Sequence, residues 1–186
     1  MYTKMKDLIK QEIEIPEGIE VKVDNNIITI KGSKGEISRN LVSRKVNLSI
    51  EEKKIIVSTK NKATKREKAV VGTFTAHIKN MIKGANEGHT YKLKICSGHF
   101  PMNVSISGEE FIVKNFLGES IPRKLKINKE VSVKIEDKDV VVESINKELA
   151  GQTASSIEEL TKRKGFDTRI FQDGIYIYFK DGKVIE

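Results

Sequence analysis

The sequence predicts an α+β protein made by tandem duplication of one small domain, each copy a mostly antiparallel sheet with one packed helix. Three observations predict it. Short segments alternate apolar and polar residues, the mark of half-buried strands. The same order of segments returns about 83 residues later, an internal repeat. In each copy the strand pattern gives way once to a helical period.

The first strand of copy one is Ile19-Glu20-Val21-Lys22-Val23, closed by the turn chemistry of Asp24-Asn25-Asn26. Ile27 to Ile30 follows and ends near Gly32 and Gly35. In copy two, Met102-Asn103-Val104-Ser105-Ile106 alternates, Ser107-Gly108-Glu109 turns and Phe111-Ile112-Val113 returns. Gly118-Glu119 then falls where Gly35-Glu36 fell, and Arg39 and Leu41 align with Arg123 and Leu125 after one inserted residue. Val46, Leu48 and Ile50 lead through a turn at residues 51–54 to Ile55-Ile56-Val57. Val131, Val133 and Ile135 lead through residues 136–139 to Val140-Val141-Val142, and Asn61-Lys62 is echoed by Asn146-Lys147.

Val70, Phe74, Ile78 and Met81 form one face of a helix over residues 70–82, matched by Leu149, Thr153, Ile157 and Leu160 in a helix over 149–163. Each copy closes with a strand: Tyr91, Leu93 and Ile95 in the first, Ile175, Ile177 and Phe179 in the second. The expected division is an arm over 1–18, a first repeat over 19–95, a hinge over 96–101, a second repeat over 102–180 and a tail over 181–186. Met5, Leu8, Ile9 and Ile13 fit either a short helix or an extended arm.

The chain of 186 residues carries 34 Lys and Arg against 26 Asp and Glu, a net charge of +8 that favours a polyanionic partner, nucleic acid above all. The excess is lopsided: residues 1–95 hold 20 basic and 11 acidic side chains, residues 96–186 hold 14 and 15. Contacts from the second copy must therefore come from local clusters. Cys96 is the only cysteine, so no intrachain disulfide forms, which fits a reducing cytoplasm. No apolar run suits a signal peptide or a membrane helix.

Candidates for chemistry are weak. Cys96-Ser-Gly-His99 with His89 supplies three metal donors where a structural zinc site takes four, and nothing orients a Cys-His catalytic pair. Gly32-Ser-Lys-Gly35 lacks most of a phosphate-loop pattern and no helix closely follows it. The expectation is no catalysis, no metal, no cofactor and no small-molecule substrate. With no Trp, 4 Tyr and 7 Phe, stacking platforms look scarce, which points to backbone contacts with folded RNA. The basic clusters are Lys53-Lys54, Lys60 with Lys62, and Lys65-Arg66-Glu67-Lys68 in the first copy, and Arg123-Lys124 with Lys126, Lys162-Arg163-Lys164 and Arg169 in the second.

Four segments then become familiar. Glu12-Ile-Glu-Ile-Pro-Glu-Gly18, Asn115-Phe-Leu-Gly-Glu-Ser-Ile-Pro-Arg123, Gly151-Gln152-Thr153-Ala154 and above all Arg169-Ile-Phe-Gln-Asp-Gly-Ile-Tyr-Ile177 resemble the sixth large-subunit ribosomal protein family, in its archaeal and eukaryotic branch. The resemblance runs from about residue 12 to residue 180. Glu159, Arg163 and Phe166 depart from the amide, aliphatic and basic residues common there. The resemblance implies a structural, non-catalytic protein of the cytoplasmic ribosome. It implies binding of large-subunit ribosomal RNA near the sarcin-ricin loop and the stalk base, among neighbouring ribosomal proteins and close to docked translation factors, mainly through the second copy. The alternative is a non-ribosomal RNA-binding or protein-interaction module.

The expected RNA-binding surface lies on two segments. The first is Gly118, Glu119, Ser120, Pro122, Arg123 and Lys124, where glycine admits a close phosphate and Arg123 can fork onto its oxygens. The second is Lys162, Arg163, Lys164, Arg169, Gln172 and Asp173, with Gln172 suited to a sugar or base edge and Asp173 to an Asp-Gly turn.

Overall fold

A computed structural model describes residues 9–24, 26–51, 53–59, 64–167 and 169–185. Met5, Leu8, Asn25, Lys60, Asn61 and Lys62 lie outside the described residues. The chain divides into two compact units, Met1–Glu87 and Gly88–Glu186.

In the first unit the strands are β1 (Lys10–Glu14), β2 (Glu20–Asp24), β3 (Ile27–Gly32), β4 (Gly35–Asn40), β5 (Val46–Glu51) and β6 (Lys54–Thr59), followed by helix α1 (Lys65–Asn86). They form two antiparallel three-stranded sheets, β1-β6-β5 and β2-β3-β4. The inward positions of the alternating strands close on α1: Ile28, Ile30, Ile55 and Val57 meet Val71, Phe74, Ile78 and Met81. Helix α1 is capped by Thr64, whose backbone N–H and hydroxyl both donate to the Glu67 carboxylate, the half of a capping box in which the third helical residue reaches back to the cap.

The second unit repeats this plan with β7 (His89–Cys96), β8 (Asn103–Ser107), β9 (Glu110–Lys114), β10 (Arg123–Lys126), β11 (Ser132–Glu136), β12 (Asp139–Ser144) and α2 (Lys147–Leu160), then adds β13 (Gly174–Lys180) and the two-residue β14 (Lys183–Val184). Its sheets run β11-β12-β7-β13-β14 and β10-β9-β8, again antiparallel. Its core joins Leu93, Phe111, Val113, Phe116, Val140 and Val142 to Ala150, Ala154 and Ile157.

The duplication stands. Val21 faces Ile30 as Val104 faces Val113, and Leu48 faces Val57 as Val133 faces Val142. The registers and element ends nevertheless revise several expectations. Tyr91, Leu93 and Ile95 do not close the first repeat: β7 pairs with β12 on one side and β13 on the other, inside the second unit. Leu93 sits opposite Val140 as Ile13 sits opposite Ile55, so Leu93 is the counterpart of Ile13 and the sheet neighbour of Ile177. Each unit opens with the strand that the pattern placed before it. Residues 10–14 are therefore a strand and not an arm, and residues 96–101 lie within the second unit.

Arg123 faces Val113, the place Ile37 holds opposite Ile30, so three residues, not one, are inserted before it. Leu41 then matches Ile127. Both are buried, and their amides donate to the carbonyls of Asn26 and Glu109 at the same point of each copy. Finally, α2 stops at Leu160, so Lys162-Arg163-Lys164 follow the helix instead of ending it.

The Gly32–Gly35 hairpin has a structural task. The Lys34 amide donates to the Ala85 carbonyl at 3.0 Å and the Ser33 hydroxyl to the Asn86 carbonyl at 2.9 Å, which satisfies the open carbonyls at the end of α1.

Candidate nucleic-acid interface

Both expected segments lie in the second unit, and the fold joins them. The three-residue insertion makes a short 3-10 turn, Phe116–Gly118, with Asn115 and Leu117 in left-handed conformations beside Gly118. Gly118 is favoured there because its φ is +78°, while a Cβ added to it would make only ordinary contact with the Phe100 ring, at 3.5 Å. Phe116 is buried beneath the turn.

Arg123 is the link. Its Nε and Nη2 bind both oxygens of Glu119 at 2.8 and 2.7 Å, its Nη1 donates to the Leu160 carbonyl at 2.6 Å, and its guanidinium lies 4.5 Å from the Phe116 ring centre. The fork meant for a phosphate is spent on the fold. Arg123 satisfies the end of α2 as the Ser33-Lys34 backbone region satisfies the end of α1. Hydrogen bonding from Arg123, with the charge of Arg163 added, holds the Glu119 carboxyl below its ordinary range despite partial burial. Lys124 pairs with Glu110 across the β9–β10 ladder at 3.1 Å. Ser120 and Pro122 are exposed.

Asp173 is buried and does not shape a hairpin turn. It accepts the His99 amide at 2.9 Å and meets the His99 Nδ1 at 2.6 Å. Burial pushes its carboxyl up, but the His99 and Gly98 amides and the imidazole outweigh that and leave it below the usual range. His99, considered above as a ligand or base, anchors the segment after β7 to the segment before β13. Cys96 lies beside Gly174 in the same ladder, and no group of metal-ligating side chains occurs among the described residues.

What remains outward is the segment between α2 and β13. Lys162, Lys164, Arg169 and Gln172 are exposed, and the three cations make no ion pair among the described residues. Arg163 stacks over Phe166 at 4.4 Å and approaches Glu119 at 3.6 Å. Phe171 stands edge-on to Phe166 at 5.0 Å and tilted against His99 at the same distance. Phe100, Phe166 and Tyr176 are exposed as well. Aromatic surface, expected to be scarce, is concentrated here. Only the nearness of Phe166 and Phe171 in a basic stretch hinted at it.

With Lys92 and Lys94 now in the second unit, that unit holds 16 basic and 15 acidic residues, so it carries no general positive field and attraction of a polyanion to it would have to come from local clusters.

The family model for ribosomal protein L6 matches twice, over residues 15–88 and 100–174. The chain belongs to the ribosomal protein L6 family. The two matches fall on the two units, so the repeat read from hydrophobic pattern is the repeat of the family. The large ribosomal subunit protein uL6 of Methanococcus vannielii is 47% identical over 178 residues, covering 96% of this chain and 97% of the relative. The protein of the same name from Methanosarcina mazei is 45% identical over 172 residues, covering 92% and 97%. Members of the L6 family are structural proteins of the ribosome in the cytoplasm, and this chain is accordingly not an enzyme.

Proposed function

We propose that this chain is a structural constituent of the large ribosomal subunit whose second unit grips folded large-subunit RNA through the segment from Lys162 to Gln172. On this reading it lies near the sarcin-ricin loop and the stalk base, beside neighbouring ribosomal proteins, and supports the region where translation factors dock. The observation that carries the reading is the contrast within the predicted surface. Arg123, Glu119 and Asp173 are consumed by the fold, whereas Lys162, Lys164 and Arg169 project from one segment without ion pairs among the described residues. Cations left in water are what a phosphate backbone can neutralise at little desolvation cost.

Two measurements test this. The protein should sediment with large subunits in a cell lysate, and a protein that stays out of that fraction refutes the ribosomal reading. In addition, binding of a large-subunit RNA fragment should weaken when Lys162, Lys164 and Arg169 are changed together to Ala. The slope of log affinity against log salt should fall by roughly 2–3. Lys53→Ala with Lys54→Ala is the control, and a larger loss there moves the site to the first unit.

A further inference from the structure

The surface just described has a depression that phosphate contacts do not use. A cavity of about 400 Å³ opens between the last turn of α2, the segment after it and β13. That volume lies within the range of about 300–1,000 Å³ common to small-ligand sites. Its aromatic lining is Phe116, which is buried, with Phe166, Phe171 and Tyr176. Lys162 and Arg163 line it as well, and Lys164 and Arg169 are exposed in the same segment.

The other lining groups decide what fits. Glu158, Glu159 and Asp173 put three carboxylates against the two cations, so the interior repels a phosphate. Asp173 is engaged with His99 through both oxygens, and Glu158 uses Oε1 to accept the Ile177 amide at 3.0 Å. The Glu159 carboxylate and the second oxygen of Glu158 accept no hydrogen bond among the described residues and remain as acceptors. The Tyr176 hydroxyl stays protonated, because burial and the nearby Cys96, Asp173 and Glu158 push it up. The walls thus offer flat π faces, carboxylate acceptors inside and cations outside. A planar, uncharged heterocycle carrying N–H donors and tethered to a phosphate satisfies all three.

We propose that this cavity receives one unpaired nucleobase of an RNA strand, stacked against Phe166, with a preference for bases bearing an exocyclic amino group. Unpaired bases are read by aromatic or guanidinium faces together with hydrogen bonds to their edges, and a carboxylate accepts the amino group of cytosine. Adenine, cytosine and guanine present that group and uracil does not. The proposal rests on the RNA-binding reading above and adds to it a place where sequence can be read.

The test uses the full chain with labelled Phe and Tyr rings, followed by NMR. Adenosine and cytidine 5′-monophosphate should shift the Phe166, Phe171 and Tyr176 signals at lower concentration than uridine 5′-monophosphate, and ribose 5-phosphate should leave them in place. Phe166→Ala should weaken binding of the large-subunit RNA fragment by roughly 5- to 150-fold, the range for one stacked base, without changing the salt slope. Phe166→Leu keeps the apolar bulk and should lose nearly as much. Lys164→Ala should do the opposite, lowering the slope and leaving the ring signals unmoved. The proposal is overturned if ribose 5-phosphate moves the rings as much as the nucleotides do. It is also overturned if N-acetylphenylalaninamide competes better than any nucleotide, which would make this a protein-docking pocket. Full RNA affinity in Phe166→Ala removes the base site and leaves the RNA-binding reading intact. No RNA binding by the wild-type chain removes both.

Discussion

Arg123→Ala distinguishes a residue that holds the fold from one that holds a phosphate. The guanidinium makes two hydrogen bonds to Glu119, one to the Leu160 carbonyl and a stack on buried Phe116, with about a quarter of its side chain exposed. Hydrogen bonds to charged groups contribute about 1.5–3 kcal/mol, and their loss here also strands Glu119 with Arg163 alone at 3.6 Å. Because part of the group faces water, a total loss of about 2–3 kcal/mol is the reasonable figure. For a unit of this size that lowers the melting temperature by roughly 8–24 °C. Three of the four tyrosines, Tyr91, Tyr176 and Tyr178, lie in the second unit and there is no tryptophan, so tyrosine fluorescence during heating reports mainly on that unit. Arg123→Lys keeps the charge but not the planar fork, and should recover only a minor part. Lys164→Ala should leave the melt unchanged while lowering the salt slope of RNA binding by about 0.7–0.9. An Arg123→Ala protein that melts like wild type yet loses that same slope would show the guanidinium to be free for phosphate, and the structural assignment would be refuted.

Two further outcomes concern the first unit. Hydrogen bonding from Lys45 at 2.6 Å, with Thr64 added, holds the Glu67 carboxyl from its ordinary 4.5 down to about 2. A depressed carboxylate stabilises above its unfolded pKa and loses that contribution as pH falls towards its folded one. The advantage of wild type over Glu67→Gln in thermal melts should therefore be constant above pH 4.5 and fade on acidification towards pH 2, and a gap that persists there contradicts the assignment. Gly32→Ala places a methyl carbon 2.5 Å from the Ala85 carbonyl oxygen, a backbone atom that cannot step aside. A loss of roughly 1–3 kcal/mol is expected, with faster amide exchange at Lys34, and unchanged exchange would mean that the helix end is not clamped there.

Strands were legible because alternation is a local property, and so were the faces of both helices. Partnership was not. Tyr91, Leu93 and Ile95 alternate equally well in either unit, and nothing in that pattern says which sheet edge they join. Deciding it requires the register of β12 and β13, contacts made about 45 and 80 residues away. Arg123 presents the same difficulty in charge form. A guanidinium in a Gly-Pro loop suits a phosphate, and only the fold puts the Leu160 carbonyl within its reach. The aromatic cluster was hidden because Phe100, Phe166, Phe171 and Tyr176 are scattered over 77 positions of chain.

The divergence between the copies explains where the outward surface comes from. In the first unit the tight Gly32–Gly35 hairpin lets α1 run on to Asn86 and receives its end through backbone amide and serine hydroxyl. The second unit has three more residues at that place, and the longer loop removes the tight clamp. Arg123 replaces it, meeting a helix that stops at Leu160, whose counterpart Met81 is followed by more than another turn of α1. The chain released by the shorter helix crosses back to add β13 beside β7, and the segment it spans on the way carries Lys162, Lys164, Phe166, Arg169 and Phe171. One insertion thus has two consequences in the fold: it engages Arg123 with Glu119 and the Leu160 carbonyl, and it leaves Lys162, Lys164 and Arg169 exposed on the segment that follows α2. A variant with residues 118–120 deleted should for this reason lose the Leu160 cap first and RNA affinity only as a result.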